Sequence, residues 1–146
     1  MRRCYLALVL ILTARAFAQV KVPPECTVED SKRAFDAVDR LKSWGAVRKF
    51  YKEYLPCDDG GIAEGVSDSV TQLLAGKWEE FWRLQAATAG DKRFQGFVLN
   101  HIDATVSIES LQAISRNARR RCPKRHPEVC KKIDAAALAA IKESQQ

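Results

Sequence analysis

The chain has 146 residues and a formal net charge of +6. This length fits one domain with a hydrophobic core and argues against two ordinary-sized domains. Residues 1–18 contain Arg2, Arg3 and Arg15 and no acidic residue, so without them the net charge falls by three, to +3. A charge this modest removes the main support for nucleic-acid binding, and we expect no nucleic-acid partner.

The N-terminus has the pattern of a secretory signal. Arg2 and Arg3 precede an apolar run, and Ala16-Phe17-Ala18 places small residues at a cleavage position after Ala18. The apolar run has about 11 residues, too few to cross a bilayer, which needs roughly 20 helical residues. Cys4 lies at the front of this run, whereas a lipoprotein cysteine follows the cleavage site.

These features predict a signal peptide over residues 1–18 and one mature domain over residues 19–146 without a membrane anchor. We expect the mature protein in the periplasm, with the extracellular space as the alternative.

The first predicted helix begins at Thr27, a residue that can cap it. Its apolar residues recur at intervals of three and four and are Val28, Ala34, Phe35, Val38, Leu41 and Trp44. Gly45 interrupts the pattern. A second helix then continues from Val47 until Pro56, because proline excludes the preceding residue from helical geometry.

Five further helices are predicted along the rest of the chain. The residues expected to cap or start them are Asp58, Asp59, Asp91, Ser107, Pro127 and Glu128. Their apolar stripes centre on Val66, Phe81, Phe97, Ile114 and Ile133. No stretch of strand length alternates apolar and polar residues apart from the brief Val20-Lys21-Val22. We therefore predict an all-α fold, a compact bundle of about six or seven short helices.

Four cysteines follow the predicted signal peptide, namely Cys26, Cys57, Cys122 and Cys130. An even number in an exported chain predicts two disulfides. A zinc site would favour a C-x-x-C pair or suitably spaced histidines, and neither occurs, so we expect no metal or other cofactor. Three pairings are possible. We favour Cys26–Cys57 and Cys122–Cys130 because each closes a short stretch around a predicted helix or turn.

The third predicted helix has an unusual composition, because it begins with glycines that each cost about 1 kcal/mol relative to alanine. At 100° per residue, one side of this helix presents Gly61, Glu64, Gly65, Asp68 and Gln72, opposite the apolar stripe. Glu64 and Asp68 are like charges four residues apart, which is unfavourable in an isolated helix. The candidate partner-binding residues, here called the acidic stripe, are Asp59, Gly61, Glu64, Gly65 and Asp68.

Three explanations of the acidic stripe remain open. The favoured one is structural: the glycines let another helix approach closely, and the acids interact with the helix N-terminus. The second is a docking surface for a basic partner. The third is a calcium site, although the ligand spacing of an EF-hand loop is missing.

A basic cluster lies near the end of the sixth predicted helix and comprises Arg119, Arg120, Arg121, Lys124 and Arg125. Basic residues in a last helical turn interact favourably with the helix dipole, so a solvated helix end is the favoured explanation. The alternative is a patch that binds a cell-surface polyanion. The cluster lacks the interleaved aromatic residues typical of single-stranded nucleic-acid binding.

Catalytic patterns are scarce. The sequence has only His101 and His126, and it contains no G-x-S-x-G, H-E-x-x-H or phosphate-binding glycine loop. We expect His101 to be half-buried and hydrogen-bonded rather than a general base, and His126 to cap a helix start. Glu64 and Asp68 on one helix lack the opposed placement of glycosidase carboxylates. The sequence therefore favours a protein that is not an enzyme.

Three segments carry a resemblance to small exported helical proteins of Gram-negative bacteria: C-D-D-G-G-I-A-E-G-V-S-D-S-V-T-Q-L-L-A from Cys57, F-V-L-N-H-I-D from Phe97 and N-A-R-R-R-C-P from Asn117. More distantly, Cys57 followed by Gly61-Ile62 and Gly65-x-x-Asp68 is similar to the glycine-spaced helix of periplasmic immunity proteins that neutralise secreted cell-wall amidases. The resemblance implies inhibition of a cell-wall toxin.

Together these features favour a non-enzymatic binding protein, with another protein as its partner and Asp59, Glu64 and Asp68 reaching a basic cleft. Two alternatives stay open: a secreted factor that binds anionic surfaces through the basic cluster, and a small helical enzyme.

Overall fold

A computed structural model describes residues 25–124 and 127–146. The predicted signal peptide and its cleavage after Ala18 lie outside the described residues, as do Arg125 of the basic cluster and the predicted cap His126. The model therefore leaves those predictions untested.

The described chain forms seven α-helices: α1 Val28–Val38, α2 Trp44–Tyr54, α3 Gly60–Gly76, α4 Phe81–Thr88, α5 Lys92–Asn100, α6 Ile108–Arg120 and α7 Pro127–Glu143. Two single-turn 3-10 helices, Leu55–Cys57 and Trp78–Glu80, precede α3 and α4. No strand occurs over the described ranges, which confirms the predicted all-α fold. Within the same ranges, no helix is both long enough and apolar enough to span a bilayer.

Short polar side chains start most of the helices. The side-chain oxygens of Thr27, Asp59, Asp91 and Ser107 each accept a backbone N–H at the start of α1, α3, α5 and α6, as predicted. Asp58 was also expected to cap α3, but its carboxylate instead contacts His101.

The boundary between the first two helices differs from the prediction. α1 ends at Val38, and the Ser43 side chain accepts the backbone N–H of Ala46 and starts α2. Trp44 is therefore the first residue of α2 and not the last of the first helix. Leu41 and Trp44 fit the helical spacing of the first helix because both are buried, although Leu41 lies in the turn between the two helices. The apolar pattern therefore does not reveal where α1 ends.

Two residues assigned to the apolar side of the first helix are exposed. Val28 is 91% exposed and Phe35 is 65% exposed, whereas Ala34 is fully buried. α1 meets α3 at Val38, which faces Gly65, while Ala34 belongs to the buried core. Val28 and Phe35 therefore lie on the solvent side of the α1–α3 contact.

α6 packs most extensively on α7 and next on α3, and buried apolar residues from all seven helices form one core. Its largest fully buried side chains include Trp44, Phe50, Phe94 and Leu111. Trp78 stacks on Phe81 with ring centroids 4.3 Å apart, which closes the α3–α4 corner.

Both favoured disulfides are present. Cys26–Cys57 joins the residue before the α1 cap to the turn before α3, and Cys122–Cys130 links the end of α6 to the first turns of α7. The second bridge fixes α6 and α7 as a helical hairpin, as predicted.

Candidate protein-binding surface

The start of α3 depends on the capping side chain of Asp59 and on the backbone conformation of Gly60. Asp59 caps the helix through a hydrogen bond of 2.8 Å from the Gly60 N–H to Asp59 Oδ1. Gly60 has a φ of +51°, a left-handed conformation that glycine adopts more readily than other residues. The glycine therefore permits the sharp entry that places Asp59 and Gly61 at the surface.

The two glycines of the acidic stripe have different environments. A Cβ on Gly65 would clash with Val38 Cγ1 of α1, so Gly65 permits the close α1–α3 contact. A Cβ on Gly61 would meet no atom within 4 Å. The structural explanation thus applies to Gly65 and leaves Gly61 without a packing role.

The acidic residues of α3 border a shallow groove, here called the acidic groove. It lies between α3 and the α5–α6 loop, and its lining includes Glu64, Asp68, Thr105 and Val106, with Gly61 at one end. Glu64 and Asp68 are both exposed. Their carboxylates are therefore available to a partner on the solvent side.

A second groove, the α1 groove, runs between α1 and the start of α3. The exposed side chains of Val28 and Phe35 line it from α1, while Asp59, Gly61 and Ile62 line it from α3. Gly61 belongs to both grooves. The acidic groove and the α1 groove therefore form one continuous surface, here called the α3 surface.

A buried hydrogen-bond network lies behind the acidic groove. His101, which is 5% exposed, has its Nε2 3.0 Å from Asp58 Oδ2 and its Nδ1 2.9 Å from Ser67 Oγ. Ser67 Oγ donates to Asp103 Oδ2 at 2.6 Å, and Asp103 also accepts hydrogen bonds from the N–H and hydroxyl of Thr105. The network ties the turn before α3 and α3 itself to the loop that forms the other wall of the groove.

The donors and acceptors of this network restrict its protonation pattern. Burial raises the pKa of Asp103, but hydrogen bonds from Ser67 and Thr105 and the nearby His101 outweigh that effect and lower the pKa below its usual value. An ionised Asp103 only accepts hydrogen bonds, so Ser67 donates its single hydrogen to Asp103. The contact between Ser67 Oγ and His101 Nδ1 therefore has Ser67 as the acceptor.

Ser67, His101 and Asp58 are the residue types of a hydrolytic triad, but their placement differs from a catalytic one. Ser67 is 2% exposed, and its hydroxyl hydrogen is directed to Asp103. A substrate carbonyl cannot approach Oγ in this arrangement. His101 is hydrogen-bonded as predicted, although more deeply buried, and its contacts support the groove.

The basic cluster is partly engaged in structural contacts. Arg119 Nε donates to Asp134 Oδ2 at 2.8 Å, which links α6 to α7. Arg121 donates to Asn117, and its carbonyl accepts the Trp78 Nε1–H at 3.0 Å. Arg120 and Lys124 are exposed. The cluster was predicted to lie near the end of a helix, and α6 does end within it, at Arg120.

Several residues of the α3 surface are absent from the predicted partner-binding residues. Phe35 was assigned to the core because its spacing matches the apolar stripe, and nothing local distinguishes it from Ala34. Thr105 and Val106 reach the groove only through the fold. The sequence Asp103-Ala104-Thr105 could have indicated a turn at this loop, because an aspartate side chain often accepts a hydrogen bond from the backbone N–H two residues later.

In the described parts of the chain, no group of three or more histidine, cysteine or acidic side chains is arranged to hold a metal ion. Comparison of the chain with protein-family models, curated proteins and solved structures finds no match.

Proposed function

We propose that the protein is an exported, non-enzymatic binding protein of the immunity type, which inhibits a secreted toxin or hydrolase by covering a basic cleft with its α3 surface. The meeting of the acidic groove and the α1 groove at Gly61 carries this proposal. The acidic groove supplies carboxylates, and the α1 groove supplies exposed apolar side chains together with Lys32 and Asp59. A single partner could therefore find charge recognition and apolar burial side by side.

Phe35 is the apolar anchor of the proposed interface. Its side chain is 65% exposed and lies in a groove whose floor is Gly61 and the buried Ile62. Burial of a phenylalanine side chain contributes about 1.5–3 kcal/mol relative to full exposure, so covering Phe35 would contribute a large part of the binding free energy.

The carboxylates of the same surface define the chemistry of the partner. Asp59, Glu64 and Asp68 are exposed, although the chain as a whole is positively charged. A local acidic region on a basic protein steers basic surfaces to that region in preference to others. The partner is therefore expected to present lysine or arginine side chains around its cleft.

Two features hold this surface in place. The Cys26–Cys57 disulfide anchors the chain before α1 beside the start of α3, and the His101 network anchors the turn at Asp58 and the loop at Asp103. A surface ordered before binding loses less entropy in the complex. The disulfides are also typical of exported proteins.

The test begins with the oxidised protein as bait, applied to the envelope and growth medium of the producing cells. A captured protein is identified by mass spectrometry, and its enzymatic activity is measured with and without a stoichiometric amount of the bait. We expect one secreted hydrolase or toxin to be held and inhibited.

Substitutions then locate the interface. Phe35→Ala should weaken binding about tenfold or more, which corresponds to at least ~1.4 kcal/mol. Glu64→Lys with Asp68→Lys should also weaken it. The matched control Glu79→Lys with Glu143→Lys makes the same charge change at exposed positions elsewhere and should bind normally. Full binding and inhibition by the folded Phe35 and Glu64/Asp68 variants would refute the assignment.

A further inference from the structure

A third groove lies between α2 and α4 and shares no lining residue with the α3 surface. Its lining includes Trp44 and Arg48 from α2 and Trp82 and Arg83 from α4, with small residues such as Ala86 between them. Two indoles and two guanidinium groups thus line one shallow groove.

Trp82 is the exposed aromatic residue of this groove. It is 58% exposed, and the guanidinium carbon of Arg83 lies 4.6 Å from the centroid of its ring. The cation–π contact orients the two side chains together at the surface. Tryptophan and arginine are the residue types most enriched among the side chains that dominate protein-binding energy.

The two arginines retain donor capacity. Arg48 forms an ion pair with Asp91 at 3.9 Å and Arg83 forms one with Glu80 at 3.8 Å, but both distances are too long for hydrogen bonds. The buried Arg48 Nε and Trp44 Nε1 have no hydrogen-bond partner among the described residues. Both of these atoms are covered, so a carboxylate would pair instead with the accessible parts of the two guanidinium groups, because the Arg48 and Arg83 side chains are 41% and 57% exposed.

We propose that the α2–α4 groove binds an acidic peptide segment of a protein partner. Carboxylates of the segment pair with Arg48 and Arg83, and a neighbouring apolar or aromatic side chain packs against the exposed Trp82 indole. A peptide fits better than a uniform polyanion because it supplies both side-chain types within a few residues. This site is independent of the α3 surface, which is proposed to bind a basic partner.

The test uses two acidic polymers with the oxidised protein: polyglutamate, which supplies charge alone, and a random glutamate–tyrosine copolymer, which adds aromatic rings. Trp44 and Trp78 are buried, so Trp82 is the tryptophan accessible to acrylamide quenching. We expect the copolymer to bind more tightly than polyglutamate and to protect tryptophan fluorescence from the quencher.

Variants assign the binding to the groove. Trp82→Ala, and separately Arg48→Gln with Arg83→Gln, should each weaken copolymer binding about tenfold by calorimetry. Arg116→Gln with Arg120→Gln removes the same charge from exposed positions on α6 and should leave binding unchanged. Thermal unfolding of each variant reports whether it is folded. Since the two groove variants change different chemistry, the second still tests the site if the first is misfolded.

Three outcomes would overturn the proposal. The first is equal affinity for polyglutamate and the copolymer, which would indicate non-specific polyanion binding. The second is loss of binding in the α6 control, which would move the site to the basic cluster. The third is absence of copolymer binding to the native protein.

Discussion

At the scale of single residues, Asp103 shows how the candidate surface depends on pH. Its pKa is lowered from the ordinary value of 3.8, because hydrogen bonds from Ser67 and Thr105 and the nearby His101 outweigh its burial. A carboxyl group with a depressed folded-state pKa contributes stability above its unfolded pKa. That contribution is lost as the pH falls through the folded value.

Asp103→Asn should therefore lower the free energy of unfolding at pH 7 by about 1–3 kcal/mol, because it disturbs a buried hydrogen-bond network. The difference from the native protein should shrink as the pH is lowered below 3.8. Urea unfolding across a pH series measures both effects. Asp36→Asn, at an exposed position on α1, serves as the control, and a pH-independent difference for Asp103→Asn would contradict the assignment.

At the scale of helices, the two glycines of the acidic stripe differ because only Gly65 lies at the α1–α3 contact. Gly65→Ala would press a Cβ onto the stiff, β-branched Val38, and such overpacking costs about 1–3 kcal/mol. Gly61→Ala meets open space and reduces the freedom of the unfolded chain, so it should stabilise by about 0.4–1 kcal/mol.

The two substitutions therefore form a matched pair with opposite expected signs, measured by the shift in denaturant midpoint. Equal effects in the same direction would mean that α1 does not pack on α3 through Gly65. If Gly61→Ala is stable and yet weakens partner binding, the open floor of the α3 surface serves recognition rather than folding.

At the scale of the whole molecule, the two disulfides restrict the unfolded chain to different extents. Cys26–Cys57 spans 31 positions and Cys122–Cys130 spans 8. In the chain-entropy model, loops of these lengths correspond to about 3.7 and 2.5 kcal/mol of stabilisation. Serine pairs at each bridge should both lower the free energy of unfolding, with the larger loss at Cys26 and Cys57. The opposite order in denaturant unfolding would show that native contacts, rather than loop length, determine the contribution.

Much of the architecture follows from local sequence. Thr27, Asp59, Asp91 and Ser107 start helices because their side chains satisfy backbone donors a few residues away. The helical apolar periodicity was sufficient to predict the all-α class, and the cysteine spacings favoured, among three possible pairings, the one that the structure shows. The caps and the helical class depend on neighbours within one helix, so the sequence by itself determined them.

Tertiary structure decided the rest, because distant segments had to be brought together. Periodicity assigns Phe35 to the core, yet only the packing of α1 in the folded protein determines that Ala34 is covered and Phe35 is not. Asp58, Ser67, His101 and Asp103 meet although they lie up to 45 positions apart. No local pattern encodes which side of a helix a distant helix will cover, and this choice determines the candidate surface.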